Sequence, residues 1–125
     1  MKPRFDMGAD AVAISDAARR LAHATHPADR WPGVEYIGDL YSLAGILDPG
    51  LGSLDQTLSQ AADYVRTEAA AGRLRQGRSR HVHITAGAAA HDLDAAAQAL
   101  ANARSLLARA QGHLSSLTPA EEVTG

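Results

Sequence analysis

Apolar residues recur along this chain at steps of three and four, the period of a helix with one buried face. Ala11, Ile14, Ala18, Leu21 and Thr25 form the first stripe and predict a helix over about 9–24. The helix closes at His26, because Pro27 disfavours helical geometry at the residue before it. The segment His26-Pro27-Ala28-Asp29-Arg30-Trp31-Pro32-Gly33 is the clearest break, with prolines and a glycine close together. A second stripe begins near Val34 and runs through Ile37, Leu40, Ala44 and Leu47. Asp48-Pro49-Gly50 interrupts it. Asp48 suits the cap of a new helix starting at Pro49, and Ser53-Leu54-Asp55-Gln56 matches a capping box. The pattern leaves open whether this break is a kink or a full turn. Leu51, Leu54, Leu58, Ala61 and Val65 then follow heptad spacing as far as Ala71-Gly72, where glycine suits a C-terminal cap.

Residues 72–85 form a glycine-containing basic connector, in which His81-Val82-His83-Ile84 alternates and allows a short extended piece. The last stripe is the strongest. Leu93, Leu100, Leu107 and Leu114 recur every seven residues, with Ala96, Ala103, Ala110 and Leu117 as the second position of each heptad. This predicts an amphipathic helix of about 30 residues, roughly 45 Å long, ending at Thr118-Pro119. Alanine at alternate seam positions lets two helix axes approach closely, so the face calls for another helix rather than a sheet. The expected fold is all-α: a single-domain up-down bundle of three to four helices over 1–125, with a long C-terminal amphipathic helix. Residues 1–8 and 119–125 are expected to be flexible. Part of the last stripe is expected to overhang the bundle, where a second copy of the chain would cover it. Trp31 is expected to plug one end.

Composition strengthens the helical reading. Alanine contributes 27 of 125 residues, while valine and isoleucine are scarce. The formal charge of −2 gives no global field for nucleic acid or an acidic membrane. Arginine supplies almost all the basic residues, the bias of a GC-rich bacterial genome. There is no cysteine, which excludes disulfides, thiolate metal sites and cysteine nucleophiles. MKPRFDMGAD has no apolar stretch of a secretory signal, and the uncharged run 40–47 is far too short to span a bilayer. A cytoplasmic protein is expected, with no membrane partner.

The candidate chemistry is sparse. Arg73, Arg75, Arg78 and Arg80 fall close together, and no acid occurs between Glu68 and Asp92. Such a cluster can bind phosphates of a nucleic acid or nucleotide, or an acidic protein, but it lacks interleaved aromatics for base stacking. A solvated basic loop that partly offsets acidic helix starts accounts for it more simply. His81, His83 and His91 include enough imidazoles for a zinc site, yet their spacing matches no zinc motif, and solvated histidines explain them more simply. His23 and His26 sit where a cation favours a helix C-terminus. Asp92 and Asp94 read as first-turn acids of the last helix. Gly50-Leu51-Gly52 lacks the third glycine of a dinucleotide motif and the strand before it. No catalytic residue, metal ligand or cofactor is assigned.

Trp31-Pro32-Gly33 between two helical stretches, with Tyr64-Val65-Arg66-Thr67-Glu68 downstream, resembles the W-x-G turn and Y-x-x-x-D/E signal of the small helical-hairpin substrates of type VII secretion. The resemblance covers residues 9–68. It implies a dimer without enzyme activity, exported through the tyrosine motif. The chain departs from that pattern in its short first helix and in the long helix that follows the tyrosine motif.

The leading expectation is therefore a non-enzymatic helical protein acting by helix–helix packing. Its partner is a second copy of itself or another helical protein, and Leu93, Leu100, Leu107 and Leu114 carry the packing. A nucleic-acid- or nucleotide-binding protein using Arg73, Arg75, Arg78 and Arg80 is the first alternative, and a secreted type VII-like substrate the second.

Overall fold

A computed structural model of the chain describes residues 4–78 and 80–120. The ends of the expected lead-in and tail, residues 1–3 and 121–125, lie outside the described residues. The described residues form three α-helices and no strand: α1 (Met7–Ala24), α2 (Ile37–Ala70) and α3 (Val82–Leu114).

Each helix boundary follows from local chemistry. Asp6 starts α1 by accepting the Ala9 N–H at 2.9 Å. The Thr25 hydroxyl closes it on the Leu21 carbonyl at 2.9 Å. His26 is not an α1 cap: its Nδ1 accepts the Ala28 N–H at 3.1 Å and opens a 3-10 turn, Pro27–Asp29. Helix α2 begins at Ile37 rather than Val34. There Asp39 reaches back and accepts the Glu35 and Tyr36 N–H groups at 2.7 and 3.1 Å. At the other end Gly72 takes φ +70°, the Gly72 N–H donates to Ala69, and the Arg73 N–H donates to Glu68. This is the paired bond pattern that a C-terminal glycine permits. His81-Val82-His83-Ile84 is not extended, because α3 starts at Val82.

Asp48-Pro49-Gly50 neither ends nor restarts a helix. Helix α2 runs unbroken through Pro49 for 34 residues. Proline removes a bond to the carbonyl four residues earlier, here that of Gly45, at a cost of about 3 kcal/mol. Tertiary packing offsets that cost, since both halves of α2 lie against α3. The two helices are nearly matched at 34 and 33 residues, so the α3 stripe does not overhang.

Helices α2 and α3 form an antiparallel hairpin, and α1 packs closely on neither. The full up-down bundle is thus reduced to one packed pair plus a third helix beside it. The seam on α2 runs through Ala44, Asp48, Leu51, Asp55, Leu58, Ala62, Val65 and Ala69, all buried or half-buried. On α3 it runs through Ala86, Ala90, Leu93, Ala97, Leu100, Arg104, Leu107, Gln111 and Leu114. The leucine phase is as expected, but the second heptad position is not. Ala96, Ala103, Ala110 and Leu117 are exposed, and Ala90, Ala97, Arg104 and Gln111 hold that place. Among the described residues the buried ones are Ala44, Ala62, Ala86, Ala90 and Ala97. Ala62 and Ala90 are wholly inaccessible, and no large side chain is fully buried. Trp31 does not plug the bundle: it is 52% exposed, on a backbone with φ +51°.

Candidate functional site

The hairpin seam has two chemically different halves. Toward the loop it is closed by alanine methyl groups and flanked by an ion pair from Arg66 to Asp94 across the helices. Toward the far end it is polar. Arg104 donates from Nε and Nη2 to the two carboxylate oxygens of Asp48 at 3.0 and 3.2 Å. The Gln111 amide reaches the Tyr41 carbonyl at 3.5 Å. The Arg104 hydrogen bonds hold the Asp48 carboxyl below the usual carboxylate range, outweighing partial desolvation.

These long side chains cross α2 where it has no side chain of its own. A Cβ on Gly52 would stand 2.7 Å from Nη1 of Arg104, and one on Gly45 would stand 2.6 Å from Nε2 of Gln111. Gly45 and Gly52 are one heptad apart, as are Arg104 and Gln111. Sequence reasoning missed this polar half. The signal was the glycine repeat in α2 paired with two non-alanine residues in the α3 repeat.

Leu93, Leu100, Leu107 and Leu114 are each half-buried on α3 at this seam. The basic loop lies at the tip of the hairpin. Arg73 is held there by the Glu68 carboxylate, with Nε and Nη2 donating at 2.6 and 3.0 Å. That pairing lowers the pKa of Glu68 and raises that of Arg73. Arg75, Arg78 and Arg80 are exposed. The structure therefore divides the four arginines: Arg73 secures the end of α2, and the other three face solvent.

His83 lies on the first turn of α3 and His91 on the third, and both are exposed. No group of three or more histidine, aspartate or glutamate residues able to hold a metal ion forms among the described residues. Among the same residues, no helix is long and apolar enough to cross a membrane. Tyr64 is exposed and lies one turn before Glu68, whose carboxylate is engaged by Arg73.

At the W-P-G segment the chain turns back on α1. The Gly33 N–H donates to the Ala24 carbonyl at 2.7 Å, and a Cβ on Gly33 would lie 2.6 Å from that of Ala24. Only glycine fits this approach. Beyond the turn an open groove of about 560 Å³ separates α1 from α2. Ile14, Ala17 and Leu21 form one wall and Ile46, Leu51 and Leu54 the other. No protein-family model, curated protein or solved structure matches this chain significantly.

Proposed function

We propose that this protein is a non-enzymatic helical module that acts by helix packing and associates with itself. One observation carries the reading: large apolar side chains on all three helices are left uncovered. Ile14, Leu21, Ile46, Tyr41, Ile84 and Leu106 are all exposed. A surface of this kind belongs to chains that complete their core with a partner.

The test is solution mass by light scattering after gel filtration, from micromolar to 100 µM protein, with absorbance at 260 nm recorded alongside. The expected result is a dimer or larger species free of nucleic acid. A monomer throughout that range rejects the reading.

A second reading rests on the exposure of Arg75, Arg78 and Arg80 at the hairpin tip. In that reading the tip takes phosphate groups of a nucleic acid or nucleotide, with affinity that falls as salt rises. A low-salt gel shift at micromolar protein decides it, and no retardation removes it.

A further inference from the structure

Helix α1 carries its own amphipathic stripe, and none of the described residues buries it. Met7, Ile14 and Leu21 are 80%, 49% and 39% exposed, and no residue of α1 is buried. The groove between α1 and α2 is lined by apolar, small or hydroxyl side chains, without one charged group. Its α2 wall includes Ile46, Gly50 and Leu54, which lie off the seam that faces α3.

We infer that this groove is filled by α1 of a second copy of the chain, running antiparallel to the first copy's α1 around a two-fold axis. The inference rests on the self-association reading above and gives it a surface. Two observations choose the occupant. An isologous contact buries the same patch on both copies, so any charge in it would be desolvated twice, and this lining has none. The charges beside it are segregated along α1. Asp10 lies in the first turn, Asp16 is engaged with its own Arg19 at 3.9 Å, and Arg20 and His23 follow. An antiparallel pair centred near Ser15 and Asp16 therefore brings Asp10 of one copy beside Arg20 of the other, twice. A parallel pair would stack like charges.

The test compares the full chain with Ile14→Glu, Leu21→Glu, Asp10→Arg, Arg20→Asp and the Asp10→Arg/Arg20→Asp double variant. Each is measured by sedimentation equilibrium, with far-UV circular dichroism to monitor the α2–α3 hairpin. Ile14→Glu and Leu21→Glu are expected to be monomeric at 100 µM while the hairpin still melts cooperatively. Each single charge reversal is expected to weaken the dimer about three- to tenfold, and the double variant to return within about twofold of the original. A dimer that survives Ile14→Glu and Leu21→Glu with unchanged affinity overturns the groove assignment and leaves self-association standing. A dimer weakened by those two variants but not restored by the double reversal overturns the antiparallel arrangement. A full-length chain that is monomeric at 100 µM overturns both readings together.

Discussion

At Gly52 and Gly50 the same substitution meets two different surroundings. Glycine inside a helix costs about 0.5–1 kcal/mol relative to alanine. At Gly50 an added Cβ meets nothing within 4 Å, so Gly50→Ala should raise stability by about that amount. At Gly52 the Cβ meets the guanidinium of Arg104, which must lift away from Asp48. Gly52→Ala should then stabilise measurably less than Gly50→Ala in urea denaturation; equal gains would mean the Arg104 crossing contributes nothing. The same carboxylate sets an acid limit. Asp48 and Glu68 have folded-state pKa values below their ordinary 3.8 and 4.5, through hydrogen bonds from Arg104 and Arg73. A depressed carboxylate adds stability that is complete above its unfolded value and is lost as pH falls through the folded one. The melting temperature should thus hold from pH 7 to about 5 and fall below about 4.5, with the fall reduced in Asp48→Asn. Loss beginning near pH 6 would show that these two carboxylates do not set the acid limit.

At the scale of the element, the seam depends on alanine more than on leucine. Ala62 and Ala90 are completely inaccessible, whereas Leu100 and Leu107 are half-exposed. Ala62→Leu forces the axes apart and should cost about 1–3 kcal/mol. Leu107→Ala should cost about half of the 2–5 kcal/mol that truncating a fully buried leucine costs. Chemical denaturation of both variants checks the order, and a neutral Ala62→Leu would show that the helices do not approach closely here. The leucine phase of α3, its length and the Gly72 cap were legible in the sequence because each has a strong local cause. The second heptad position was not. Ala96 and Ala103 fit a seam as well as Ala90 and Ala97 do, and a rule that keeps Arg and Gln out of a core selects the wrong set. The choice is made across the hairpin, where Asp48, Gly45 and Gly52 accommodate Arg104 and Gln111. At Pro49 the pattern left a kink and a full turn both open, because its local cost is real; packing against α3 keeps the helix continuous and removes the turn.

At the scale of the whole molecule, α1 is the helix without a buried residue. Its stripe was readable from Ala11, Ile14, Ala18 and Leu21, but periodicity shows only that a face is apolar and not what covers it. Among the described residues nothing buries it, because Gly33 holds the chain against the end of α1 and leaves a groove along the rest. The fully buried groups are alanine side chains, each contributing about 0.8 kcal/mol, against about 1.5–3 kcal/mol for a fully buried leucine. A hairpin with so small an apolar core draws a large share of its stability from whatever occupies that groove. If the occupant is a second copy, folding and association are linked by mass action, and the melting temperature must depend on protein concentration. Raising the concentration a hundredfold adds about 2.7 kcal/mol to the folded dimer, which should raise the melting temperature by about 5–10 °C. Ile14→Glu should abolish that dependence and melt at one temperature at every concentration. A melting temperature that does not move with concentration in the unmodified chain would mean that the hairpin stands alone, and that the exposed face of α1 serves a partner of different sequence.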